Sequence, residues 1–140
     1  MKILFDTNVV LDVLLNREPD VVAGIELFCA VENKIIHGFL CATTLTTIDY
    51  LCTKAIGRKP AKRAINALLE LFSIAEVDRK VLVAAIESDF SDFEDAVLYQ
   101  AGVNVGVDGF VTRNVKDFIL AEHPIYTPSE LSGIIQSSLG

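Results

Sequence analysis

Short apolar runs alternate with stretches of helical periodicity from one end of the chain to the other. Ile3–Phe5 reads as a buried strand, and Val9–Leu15 as a short helix stopped before Pro19. Asp20–Val31 carries Val21, Ile25 and Phe28 at helical spacing, and Ile35–Leu40 is a second strand with little charge. Thr44–Lys54 predicts a helix ended by Gly57. The next helix places Ala61, Ile65, Leu68, Leu69 and Phe72 on one face. Ile74–Val77 predicts a brief strand, Val81–Ile86 a helical segment and Asp92–Ala101 a further helix. Gly109–Thr112 follows as a strand, Val115–Leu120 as a short helix, and Ile125–Tyr126 as a last strand. Thr127-Pro128-Ser129-Glu130 then forms a capping box with proline at the first helical position, which makes Glu130 structural.

Strands that are mostly apolar and alternate with helices indicate a parallel sheet buried between helical layers. The expected fold is therefore α/β, a three-layer α/β/α sandwich. No linker, repeat or low-complexity segment interrupts the pattern, so residues 1–140 are expected to form one domain. With 51% hydrophobic residues the chain has material for a substantial core.

Charge and cysteine content narrow the chemistry. The net charge of −7 gives no global attraction to nucleic acid or to an anionic membrane. Cys29, Cys41 and Cys52 are odd in number and make no Cys-x-x-Cys pair. They read as small buried hydrophobes of a reducing compartment, not as a disulfide framework or a zinc site. Three apolar residues between Lys2 and Asp6 are too few for a signal-peptide core. No apolar run approaches the ~20 residues of a bilayer span. A cytoplasmic location with no membrane partner is expected.

Three acids call for explanation. Asp6 ends the first strand, where ligands collect in open parallel sheets. It reads equally as a helix cap or as a metal-binding acid. Asp95 lies in Ser91-Asp92-Phe93-Glu94-Asp95. Ser91 and Glu94 form a Ser-x-x-Glu capping box, and Asp92 suits the helix dipole. Asp95, however, shares a stripe with Leu98, Tyr99 and Gly102 that faces the sheet. A carboxylate there is partly desolvated, which is costly without a cation or hydrogen bonds. Asp117 follows another strand, in Thr112-Arg113-Asn114-Val115-Lys116-Asp117; it can pair with Arg113 at i,i+4, and Asn114 can cap the short helix. Three acids from three strand-to-helix junctions can converge at one sheet edge, where a hard divalent cation, Mg²⁺ or Mn²⁺, would offset their repulsion. His37 and His123 are isolated and lack metal-ligand spacing.

Charge is also segregated along the chain. Lys54, Arg58, Lys59, Lys62 and Arg63 put five of the twelve bases into ten residues, and Val81–Thr112 holds six acids and no base. The basic run is a solvated helix face or a phosphodiester-binding ridge beside an acidic pocket.

FDTNVVLD, ATTLTTIDYL, DFSDFEDAVLYQAG and VTRNVKDF resemble the PIN domain in the order that family shows them, and more narrowly the VapC-type toxin ribonucleases and their solitary relatives. The resemblance implies a five-stranded parallel sheet and Mg²⁺- or Mn²⁺-dependent endonucleolytic cleavage of RNA. It makes Asp6 the first metal-binding acid, supported by Thr7 and Asn8, and Asp95 the third. Asp92 stands where an additional acid is often found. Thr112, Asn114 and Asp117 fall on the final motif and complete the pocket, with Asp6, Asp95 and Asp117 as the catalytic set. One departure matters: the family's second acid falls at Thr47, which is neutral. Asp49, about 200° further round a helix, cannot replace it.

The expected function is a metal-dependent endoribonuclease, the toxin of a toxin-antitoxin pair being one form of it. The alternative is a PIN-fold module that binds RNA or protein and cuts weakly or not at all, because Thr47 replaces the acid. A dehalogenase-type phosphatase would need an acid at Asn8. A mean hydropathy of +0.44 is high for a small monomer and points to a homodimer. Relatives of this type also imply an antitoxin partner that blocks the pocket.

Overall fold

The computed structural model describes residues 1–139; the last residue of the expected 1–140 domain lies outside them. The first half of the chain forms β1 (Lys2–Phe5), α1 (Thr7–Leu14), α2 (Val21–Glu32), β2 (His37–Cys41), α3 (Ala42–Ile56) and α4 (Arg58–Leu71). The second half adds β3 (Ser73–Ala75), α5 (Arg79–Glu87), α6 (Phe93–Val105), β4 (Gly109–Val111), β5 (Ile125–Tyr126) and α7 (Pro128–Leu139). A single 3₁₀ turn, Val115–Phe118, stands between β4 and β5. All five strands pair in parallel, in the order β3-β2-β1-β4-β5.

The alternation of side chains along a strand divides the core in two. Ile3, Phe5, Leu40 and Val111 face α1, α2, α3, α4 and α7, meeting Val9, Leu27, Ile48, Leu68 and Leu131. Leu4, Phe39, Cys41 and Phe110 face the other way, onto Val81 and Ala85 of α5 and Val97 and Leu98 of α6. This is the expected α/β/α sandwich. A side chain at Gly102 would bring a Cβ to 2.5 Å from the Phe110 ring and 3.2 Å from Leu4, so glycine lets α6 lie close on the sheet. Among the described residues no helix is long and apolar enough to cross a membrane.

Several local expectations need correction. Cys41 and Cys52 are buried, but Cys29 is exposed. It lies two residues, about 200°, from Leu27 on the buried face of α2. Leu69 is exposed at 49%, because α4 buries only the Ala61–Leu68 line. The predicted helix at Val115–Leu120 is only the four-residue 3₁₀ turn. The capping box of α7 forms as expected: the Thr127 amide donates to Glu130 Oε1 at 2.8 Å and the Glu130 amide to Thr127 Oγ1 at 3.2 Å.

Candidate active site

β1 has β2 on one flank and β4 on the other, so the chain leaves the sheet centre in both directions. A crevice opens at such a point beyond the C-terminal strand tips. Asp6 sits there, 8% exposed, with its amide donating to Val111 O at 2.9 Å. Three donors hold its carboxylate and leave Oδ1 with a free acceptor site: Oδ1 accepts from the Thr7 amide at 2.8 Å, and Oδ2 from Thr112 Oγ1 at 2.7 Å and Asn8 Nδ2 at 3.3 Å. Asp6 therefore does cap α1, in line with one of its two readings, and it also lines the crevice.

The strand after Gly109 supplies the clamp. Thr112 is fully buried, and its hydroxyl accepts from the Asn114 amide at 3.0 Å while donating to Asp6. The Arg113 amide donates to Asn8 Oδ1 at 3.3 Å. Thr7, Asn8, Thr112 and Asn114 thus form one hydrogen-bonded frame around Asp6. Asn114 lines the cavity and makes no side-chain cap for the 3₁₀ turn, which corrects the capping alternative.

The cavity, about 240 Å³, runs from Asp6 and Thr7 across Thr43, Thr44 and Thr47 of α3 to Glu94 and Asp95 of α6. Asp95 is half-buried on the stripe that also carries the buried Leu98, Tyr99 and Gly102. Burial, and then the charges of Asp6, Asp92, Asp117 and Glu94, push its carboxyl up to about 7. Burial also raises Asp6, against the lowering effect of its bonds from Thr112 and the Thr7 amide.

The remaining acids are placed differently. Asp92 is the N-cap of α6, with Oδ2 accepting from the Asp95 amide at 2.9 Å, and it does not line the cavity. The expected Ser91–Glu94 capping box does not form, because the cap falls one residue later in the chain. Glu94 instead accepts from Thr47 Oγ1 at 3.2 Å across the cavity rim. Asp117 is exposed on the 3₁₀ turn, outside the cavity wall, yet its charge acts on both Asp6 and Asp95. It does not pair with Arg113.

Arg113 turns the other way, to the buried Asp12, with Nε at 2.6 Å and Nη2 at 3.3 Å. An acid inside Val9-Val10-Leu11-Asp12-Val13 was the signal for this α1-to-β4 tie. Arg17, which no motif marks, lines the cavity and reaches Asp12 only at 3.8 Å. Asp49 is tied to Arg58 at 2.6 Å. His37, at the far end of the sheet, meets Ser73 Oγ at 2.7 Å, and His123 meets the Tyr99 hydroxyl at 2.8 Å.

Among the described residues no three acid, histidine or cysteine side chains stand gathered closely enough to hold a cation as they are. The donor set is nevertheless of one kind, carboxylate, hydroxyl and amide oxygens, which matches a hard divalent cation and not zinc or copper.

With this geometry in place, the class is clear: a doubly wound α/β fold with an acidic crevice at its switch point. The family model for the PIN domain matches residues 2–116, and the chain belongs to that family, whose members are generally nucleases. No curated protein matches it in sequence. Among solved structures, FitAcB from Neisseria gonorrhoeae is 17% identical with a TM-score of 0.69, covering 91% of this chain and 98% of that one. VapBC2 from Rickettsia felis, bound to a DNA fragment from its promoter, is 15% identical with a TM-score of 0.66, covering 90% and 97%. VapC20 from Mycobacterium tuberculosis, a toxin that cleaves the sarcin-ricin loop, is 14% identical with a TM-score of 0.63, covering 77% and 86%.

The raised carboxyls set the pH response of the metal-free protein. A carboxyl raised from 3.8 to about 7 on folding gives stability that is full below the lower value and is lost as pH rises through the upper one. Melting in EDTA is expected to fall between about pH 5 and about pH 8, and Asp95→Asn to flatten that fall. A melting temperature that rises over the same interval would contradict the placement of Asp95.

Proposed function

We propose that this chain is a Mg²⁺- or Mn²⁺-dependent endoribonuclease, and that it acts as the toxin of a toxin-antitoxin pair. The observation that carries the reading is Asp6 and Asp95 lining one small cavity from opposite sides of the sheet's switch point. Their positions match the first and third acids of the family. When bound, a divalent cation would acidify a water and offset charge on the phosphate oxygens.

The residues themselves do the positioning. Thr112, Asn8 and the Thr7 amide fix the Asp6 oxygens in one orientation, so that the carboxylate does not have to reorganise. Asp92 orders the first turn of α6 and with it Asp95. Asp117 adds negative charge from outside the wall, and its backbone amide donates to Asn114 O at 2.9 Å within the 3₁₀ turn. Arg17 stands in the cavity wall with one long ion pair, suited to a phosphate.

The basic ridge supports an RNA substrate. Lys54 ends α3, about 10 Å along the helix from Thr47, and Arg58, Lys59, Lys62 and Arg63 open α4. Four bases and no first-turn acid at a helix N-terminus oppose the macrodipole, a cost that an anionic ligand would remove. Arg58 is held by Asp49 and Lys54 by the Tyr50 hydroxyl at 3.2 Å, while Lys59, Lys62 and Arg63 have no ion pair among the described residues. The protein partners proposed are a second copy and an antitoxin. Exposed Ile25, Ile35 and Leu139 around one apolar cleft favour self-association. Light scattering at micromolar concentration should show the dimer, and a monomer would remove that part of the reading.

A second reading rests on Thr47: with no acid from α3, the fold would hold RNA without cutting it. Cleavage of single-stranded RNA in Mg²⁺ separates the two. Asp6→Asn is expected to lower the rate by about 10² or more while the fold persists; an unchanged rate would refute the catalytic assignment. Replacing Lys59, Lys62 and Arg63 with Ala should weaken RNA binding for all sequences alike and reduce the salt slope by about one for each phosphate no longer held. An unaltered slope would return the ridge to a solvated helix face.

A further inference from the structure

We infer that Glu94 supplies, from α6, the negative charge that α3 does not bring to the metal pocket. The inference rests on the nuclease reading and adds a residue to that site instead of making a new one. The half of α3 that faces the cavity offers only hydroxyls, from Thr43, Thr44 and Thr47. Its one acid, Asp49, is bound by Arg58 at 2.6 Å on another face. Glu94 is not occupied as a helix cap, since Asp92 holds that position. Its side chain crosses the rim to α3, where Oε1 accepts from Thr47 Oγ1 at 3.2 Å.

Two facts make this more than a surface hydrogen bond. Glu94 lines the same cavity as Asp6 and Asp95. Its charge acts on both of those carboxyls, so it lies within their field. The Thr47 hydroxyl then has a role of its own. Its single proton is shared between Thr43 O at 3.3 Å and Glu94 Oε1 at 3.2 Å, and the second contact draws the flexible three-bond side chain of Glu94 toward the α3 wall of the cavity. A threonine at 47 and a glutamate at 94 together do what one acid on α3 would do.

Calorimetric Mn²⁺ titration of the full chain tests this without relying on catalysis. Glu94→Gln keeps the size and the acceptor for Thr47 but removes the charge. It should weaken Mn²⁺ binding by about tenfold or more and raise the melting temperature in EDTA, because one repelling charge is gone. The swap Thr47→Glu with Glu94→Gln returns the acid to α3 and should restore most of the Mn²⁺ affinity. Asp6→Asn serves as the reference that abolishes binding. If Glu94→Gln binds Mn²⁺ like the wild type while Asp6→Asn does not, the role of Glu94 is overturned and the nuclease reading stands. An unrescued double variant overturns the exchange between positions 47 and 94. A metal-free melting temperature lowered by Glu94→Gln, with affinity kept, would make Glu94 a structural residue. A wild-type chain that takes up no Mn²⁺ overturns both readings together.

Discussion

The carboxylate of Asp6 is the point on which the arrangement depends. It is nearly removed from water at the end of a central strand, a position that is costly for a charge unless donors surround it. Three donors do so: the Thr7 amide and the Asn8 side chain from the first turn of α1, and the Thr112 hydroxyl from the tip of β4. The Thr112 hydroxyl cannot turn away, because it also accepts from the Asn114 amide. The neighbouring Arg113 is drawn off to Asp12, which ties the same tip to α1 from below. The strand order, the cap and the final motif are thus one device for holding one acid.

Around that fixed point the electrostatics work against the bare fold. Asp95 enters from α6, close-packed on the sheet because residue 102 has no side chain to meet Phe110. Its carboxyl is raised by burial first and by its acidic neighbours second. A pocket built in this way stores repulsion, and a divalent cation would convert that repulsion into affinity. The charge segregation seen along the chain becomes a spatial one: an acidic crevice at the start of α3 and a basic cluster where α3 gives way to α4. Thr43, Thr44 and Thr47 line the crevice end of α3, and about 10 Å further along the helix the basic cluster begins at Lys54.

Much of this was legible in the residues. Apolar runs ending in Asp6 and Thr112 gave strands whose tips carry chemistry, because a parallel sheet buries its strands and exposes only their ends. The Asp95, Leu98, Tyr99 and Gly102 stripe gave an acid turned toward the sheet, since helical spacing alone decides which residues share a face. The α7 capping box needed only four adjacent residues. Such features are local, and local sterics and hydrogen bonding determine them.

Other features were decided by tertiary structure. Ser91 and Glu94 fit a capping box as well as any pair does, but the cap fell on Asp92, and Glu94 became free to meet a helix 47 residues away. Arg113 had a local partner in Asp117 and chose Asp12, 101 residues distant, because a buried carboxylate gains more from a bidentate guanidinium than an exposed one does. Arg17 and Asp12 showed no motif at all. The sequence by itself determined the strands, the helices other than the turn at Val115–Phe118, and two of the three acids expected at one crevice, Asp6 and Asp95. Which polar groups met across that crevice depended on desolvation and distance, quantities that exist only once the chain has folded.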